Sequence, residues 1–303
     1  MLLDLRQRLE YGVLLALVLF LRAMSLERAA AFSARVWCLI APWTRRHRRA
    51  LKNLEKAMPE KTPAEREAIA LAMWDNLGRV FAEGALLHRI LADPSRIEFE
   101  NPALVERYRG KLGATVLASM HMGNWEVAIY PAKALGARAA GVYRIIENPL
   151  VDGFFRRLRS PLYPGGLFAS KGDEGFDTVM RIASYARAGG TVAMLADLPD
   201  WKGVQVPFFG QMMWATIAPA WLARRAGATL WVGRVIRIGK ESRFRVTVKQ
   251  LRVPRTDAPK EDVKQATASI HAQFEAWIRE HPEQFMWSNK RWKNHEMPGG
   301  TQD

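Results

Sequence analysis

His121 and Glu126 stand at the two ends of the segment HMGNWE. An imidazole held beside a carboxylate can take a proton from a hydroxyl, because the acid orients the ring and stabilises its charged form. A turn followed by a helix start would bring these two side chains together, and Gly123 between them allows an unusual backbone angle. A hydrogen-bonded histidine at a strand end is the competing reading of a lone His-x4-Glu. Asp197 closes the apolar run TVAMLAD. A carboxylate there is costly to bury alone, so it is expected to bind Arg144 or another basic neighbour and shape a pocket; capping the next turn is the alternative. No His-Glu-x-x-His pattern occurs and the six histidines are scattered, so neither a metal nor a cofactor is expected. Cys38, the single cysteine, lies in the apolar stretch VWCLIAPW and is expected to be an inert thiol.

The elements that must position these residues alternate. Thr62-Pro63-Ala64-Glu65 reads as a capping box opening a helix that runs to about residue 91. Short strands are expected at 97–100, 114–120, 139–144 and 191–197. Helices are expected after Asn101-Pro102, from HMGNWE to about residue 135, after Asn148-Pro149, and over 175–187 and 216–226. Segments 229–238 and 243–253 read as adjacent strands, and 260–280 as a last helix. Strands interleaved with helices mean an α/β fold with a central sheet flanked by helices. Ligands of such sheets sit at the carboxyl ends of the strands, where His121 and Asp197 both fall.

The chain has 303 residues, a formal charge of +15 and eleven Trp. The charge points to an anionic partner, and Trp favours surfaces where apolar and wet regions meet. Residues 11–21 (YGVLLALVLFL) are uncharged, and a second apolar stretch runs from Ala29 to Trp43, broken only by Arg35. Basic residues flank both: Arg6 and Arg8 before, TRRHRR after. Residues 1–44 therefore read as a membrane-associated helical segment and 45–303 as the catalytic domain. The segment either spans the bilayer as one tilted helix over 2–26 or lies in one leaflet, with the body on the cytoplasmic side in both cases. A buried helical hairpin is the alternative.

Five blocks in order carry a resemblance over nearly the whole chain: NLGRVFAEG (76–84), HMGNWE (121–126), VYRIIENP (142–149), the long block from Met194 to Ala228, and HPEQFMWSNKRWK (281–293). Through them the sequence resembles the lipid A biosynthesis acyltransferases, the late lauroyl and myristoyl transferases of Gram-negative bacteria. More distantly it resembles the glycerolipid acyltransferases that share a His-x4-acid motif. It departs at Leu198, where the family often has Gln, and at Asn289 and Trp292, where it often has His and Phe. The resemblance implies a mixed sheet of the glycerolipid-acyltransferase kind and a place at the bacterial inner membrane, facing the cytoplasm. It also implies a reaction. His121, oriented by Glu126, would deprotonate a hydroxyl of a phosphorylated lipid A precursor, and the alkoxide would attack the thioester of an acyl–acyl carrier protein.

Arg144 is the first candidate for holding the resulting oxyanion, with backbone amides near Gly123 and Asn124 as the alternative. Asn148, Arg156, Arg157, Lys202, Arg291 and Lys293 are candidates for substrate binding, the basic ones toward acceptor phosphates, an anionic leaflet or an acidic carrier protein; Arg159 belongs to the same basic run. Phe208 and Phe209, in the apolar, loop-like VPFFGQMMW, are expected to line an acyl channel or dip into the membrane, with ordinary core as the alternative. WSNKRWK mixes aromatic and basic residues, but no nucleic-acid-binding signature accompanies it, and no nucleic-acid partner is expected. Other readings are an acyltransferase for another lipid (a mannosylated phosphoinositide, an aminolipid or a lysophospholipid), a hydrolase, or a noncatalytic basic membrane-binding protein.

Overall fold

The structure, a computed structural model, describes residues 4–169 and 175–292. Four helices come first: α1 (Leu5–Arg22), α2 (Leu26–Ile40), α3 (Arg45–Ala57) and α4 (Pro63–Ala85). Each starts on a residue whose side chain accepts from an early backbone N–H: Asp4, Ser25, Thr44 and Thr62. At Thr62 the box is reciprocal, with Glu65 accepting from the Thr62 N–H at 2.7 Å. The helix expected to reach residue 91 breaks at Leu86, and a short α5 (Leu87–Leu91) continues.

Next come β1 (Ile97–Phe99), α6 (Pro102–Arg107), β2 (Thr115–Ser119), α7 (Tyr130–Ala134), β3 (Ala139–Tyr143), α8 (Pro149–Arg159) and β4 (Leu167–Ala169). The chain closes with α9 (Gly175–Arg187), β5 (Thr191–Leu195), β6 (Pro199–Phe208), β7 (Gln211–Ala215), α10 (Ala218–Ala226), β8 (Thr229–Arg237), β9 (Phe244–Leu251) and α11 (Pro259–Glu280). The expected single helix after HMGNWE is instead a 3-10 turn at Trp125–Val127 followed by the short α7.

Seven strands form one mixed sheet in the order β1-β9-β8-β2-β5-β3-β4. β2 lies between two parallel neighbours, β5 and β8, and all five of its residues are buried. Burial on both faces is what a central parallel strand requires. Val116 and Ala118 face a core shared with α3, α9, α10 and α11. Leu117 faces the opposite core, with Ala193, Trp231, and residues of α1 and α8. β9 runs antiparallel to β8 and alternates buried Phe244 and Val246 with exposed Arg245.

The segment read as a loop, VPFFGQMMW, is a β-hairpin. β6 and β7 pair antiparallel from Val204↔Ala215 to Phe208↔Gln211. Phe209 and Gly210 both have positive φ, 53° and 68°, which is the two-residue turn that suits strand twist. A phenylalanine at positive φ is strained. It is held by burial, by the Phe208 and Trp287 rings, and by a hydrogen bond from its N–H to Glu275.

Among the described residues, no helix is long and apolar enough to cross a membrane. α1 and α2 nevertheless leave apolar side chains in solvent. Leu5, Leu9 and Val13 recur every four residues along α1, with Leu5 70% exposed. Val36, Leu39 and Ile40 are exposed on α2, and Trp43 just beyond is 88% exposed.

Candidate active site

Strand register brings the central pair together. β2 and β5 are adjacent, parallel and aligned with Ser119 opposite Leu195. Two residues past each lie His121 and Asp197. The Asp197 carboxylate takes the His121 Nδ1 at 2.7 Å and the His121 backbone N–H at 3.2 Å through the same oxygen. Its other oxygen accepts from Arg291 Nη2 at 3.0 Å, while Arg291 Nη1 donates to the Asp197 carbonyl at 2.7 Å. Asp197 is 0% and Arg291 1% exposed. Burial alone would raise the carboxyl pKa, but His121 and Arg291 outweigh it and hold Asp197 well below the usual carboxylate range. The acid is therefore ionised, so the neutral ring carries its proton on Nδ1 and leaves Nε2 free to accept one.

The residues after His121 are fixed from behind. Gly123 has φ 56°, and a Cβ there would lie 2.1 Å from the Val235 carbonyl oxygen, so only glycine fits. Its N–H is spent on the Gln284 carbonyl at 3.0 Å, and its carbonyl accepts from Asn76 at 3.1 Å. Asn124 is fully buried. Its amide donates to Glu83 at 2.9 Å, and its oxygen caps the 3-10 turn at the Glu126 N–H. Glu83 is itself paired with Arg237 and accepts from Ser242 at 2.7 Å, so this buried carboxylate is fully matched.

The C-terminal segment supplies the remaining support. Met286 N–H donates to the His121 carbonyl at 3.0 Å, and Phe285 bridges Met122. α3 clamps this segment: Asn53 donates to the carbonyls of Trp287 and Asn289 at 2.7 and 2.8 Å, and Arg49 to that of Ser288 at 3.2 Å. The Asn53 clamp lies two residues before Arg291.

In front of His121 opens a cleft of about 610 Å³. Its mouth carries His121, Trp125, Glu126, Arg144 and Arg159; Leu117, Ile129, Ala193 and Leu167 give it apolar walls. Trp125 meets the His121 ring edge-on, with centroids 5.1 Å apart. Arg159 holds Glu126 through two bonds of 2.6 and 2.8 Å. The Tyr163 hydroxyl also reaches this region, its pKa pushed up by burial and by the Glu126 charge. Arg144 lines the cleft and is exposed, with no ion-pair partner among the described residues.

Several sequence expectations need correction. The carboxylate on His121 is Asp197, not Glu126, because adjacent strands place the aspartate at Nδ1 while Arg159 engages the glutamate. Arg144 is not the partner of Asp197; Arg291 is. Gly123 and Asn124 are buried supports rather than substrate contacts, and the Gly123 amide is already used. Asn148 caps α8 and donates to the Gln7 carbonyl at 2.8 Å, tying α8 to α1. Arg156 and Arg157 point outward on α8 and do not line the cleft. Lys202 is exposed on β6, also away from the cleft. Phe208 and Phe209 are core, packed against His271 and Trp287. Arg291 is sealed behind Asp197 rather than open to substrate. Lys293 lies outside the described residues. Sequence reasoning missed the pairing of Arg159 with Glu126 and the role of Asn53. The one available signal for Arg159 was its place at the end of a helix beginning at Asn148-Pro149, the end that lines the cleft.

An open α/β sheet with an Asp-backed histidine at its strand ends, beside a cleft with an apolar interior, has the geometry that general-base chemistry on a ligand with an apolar portion requires. Residues 5–294 match the family described as bacterial lipid A biosynthesis acyltransferase, and the chain belongs to that family. It is accordingly an O-acyltransferase of lipid A biosynthesis. A comparison with curated proteins gave no match.

Proposed function

We propose that the protein transfers a fatty acyl chain from acyl–acyl carrier protein to a hydroxyl of a phosphorylated lipid A precursor, with His121 as general base. The observation that carries this reading is the 2.7 Å contact of ionised Asp197 with His121 Nδ1, which leaves Nε2 as the basic edge at the cleft. Nε2 takes the acceptor hydroxyl proton as the oxygen attacks the thioester carbonyl. The tetrahedral intermediate collapses with cleavage of the C–S bond, and the imidazolium returns its proton to the leaving thiolate. General-base assistance of this kind contributes on the order of 10²–10⁴ in rate. Arg144, a guanidinium that lines the cleft with no ion-pair partner among the described residues, is the group assigned to the oxyanion in this reading. Arg159 and Glu126 neutralise each other and fix the cleft wall against the acyl chain.

The outward apolar stripes of α1 and α2, flanked by Arg6, Arg8 and the TRRHRR cluster, support attachment to one leaflet of the inner membrane from its cytoplasmic face.

The test is a product assay by mass spectrometry. The purified protein is mixed with acyl–acyl carrier protein and a tetra-acylated lipid A precursor bearing its inner sugar acids. A mass gain of one acyl chain, lost in His121→Ala, is expected. Absence of the gain with folded protein rejects this acceptor, and failure across other lipid acceptors and acyl-CoA donors rejects the donor and mechanism proposed.

A further inference from the structure

A second hollow of about 570 Å³ runs along α10 beside the cleft. Its floor is apolar, from Val204, Ile217, Trp221 and Val263. Its rim is basic: Lys202, Arg224, Arg225 and Lys260 line it, and no carboxylate does. Arg224 is matched by Asp262 at 2.9 Å. Lys202, Arg225 and Lys260 are exposed and have no ion-pair partner among the described residues. Three unmatched cations around an apolar floor form a surface complementary to an amphipathic, acidic one.

Position selects among anionic occupants. Thr216 and Ala218 line the cleft, whereas Ile217 between them lines the groove. On β6, Asp200 belongs to the cleft and Lys202 to the groove. The two hollows thus share a wall one or two residues thick. α10 and α11 cover one face of the sheet, while α1, with its bare apolar stripe, packs with α8 on the other. The end of α2, through Trp37 and Cys38, and α3 pack against the same core as α10, so the choice of occupant rests on the wall shared with the cleft. The occupant that fits is therefore a water-soluble acidic protein, which can pass a thioester-linked chain over the shared wall into the cleft.

We infer that the groove bounded by Lys202, Arg225 and Lys260 is the docking surface for the acidic protein that carries the acyl thioester. This rests on the acyl-transfer reading above. It adds where the donor binds, and it predicts that affinity falls with ionic strength.

The experiment uses the full chain and the variant Arg225→Glu/Lys260→Glu, with folding checked by thermal unfolding. Binding of acyl carrier protein is measured directly, and turnover is measured with two donors: acyl–acyl carrier protein and the same acyl group on free pantetheine. Reversing two unmatched charges should weaken carrier binding and raise its KM about tenfold or more. kcat, and the rate with acyl-pantetheine, should be unchanged. Equal carrier binding by variant and wild type overturns the inference, as does an equal loss with both donors. Loss of binding to vesicles of anionic phospholipid, with carrier binding intact, also overturns it and makes the groove a lipid surface. If the wild type binds carrier through this groove yet transfers no acyl group from either donor, docking stands and the acyl-transfer reading fails.

Discussion

Replacing Asp197 by Asn separates two tasks of one carboxylate. Asn keeps the shape and removes the charge. With its amide oxygen turned to Arg291, its NH₂ faces His121 Nδ1, which must then accept. The neutral ring carries its proton on Nε2 instead, the edge that should take one, and the base is lost. A wrong-tautomer defect of this kind reduces kcat by roughly 10³–10⁴. The second task is stability. Arg291, 1% exposed, would keep its charge with no counter-charge, and breaking a buried pair from one side costs about 3–5 kcal/mol. Replacing both partners by neutral groups is far less costly, so Asp197→Asn/Arg291→Met should recover much of the stability and none of the activity. Single-turnover acylation followed by mass spectrometry reads the first effect, and urea unfolding the second. The acid dependence has a definite sign. The folded pKa of Asp197 is depressed, so its stabilisation is complete above the unfolded value of about 3.9 and is lost as pH falls toward the folded one. That limb should be missing in Asp197→Asn. A variant within tenfold of the wild-type rate would refute this account. So would a larger rate loss in Glu126→Gln than in Asp197→Asn, which would return the orienting role to Glu126.

Gly123→Ala should destabilise the fold by more than the ~1–2 kcal/mol of a left-handed residue, because its Cβ would also meet the Val235 carbonyl at 2.1 Å; an unchanged melting temperature would contradict this. Asn53→Ala leaves two carbonyls of the C-terminal segment without their donor and should cost about 1–3 kcal/mol. It should also lower kcat, since Arg291 is then less firmly held, while a kcat equal to wild type would show that the clamp does not reach the site. Leu9→Glu/Val13→Glu places charges on the bare α1 stripe and should move the protein from the membrane pellet to the supernatant, with turnover on detergent-dispersed acceptor retained. Persistence in the pellet after a salt wash would point to attachment elsewhere.

Much of the fold was legible because its signals are local. The strands expected at 114–120 and 191–197 are observed at 115–119 and 191–195, and the helix expected over 260–280 begins one residue earlier. α3 was not read as a helix because its buried positions include His47 and Asn53, polar residues that break an apolar stripe. The β6–β7 hairpin reads as a loop because its turn is Phe-Gly rather than Asn-Gly and Met212, Met213 and Trp214 follow without alternation. At the site, sequence marked His121 and Asp197 as strand-end residues but not as neighbours, since adjacency of β2 and β5 depends on strand order. Sequence proximity favoured Glu126 instead, five positions away. Arg291 was legible only as a basic residue, because its contact with Asp197 spans 94 positions.

That long span also sets a schedule. A chain emerging from the ribosome presents the sheet, the cleft and the histidine well before it presents Gln284 to Arg291. Until those residues emerge and dock, Asp197 lacks its arginine and the His121 loop lacks its partners at Gln284 and Met286. The site is thus completed last, and a premature stop ahead of Phe285 would remove the buried Phe285, Trp287 and Arg291 and cost the product stability and turnover together.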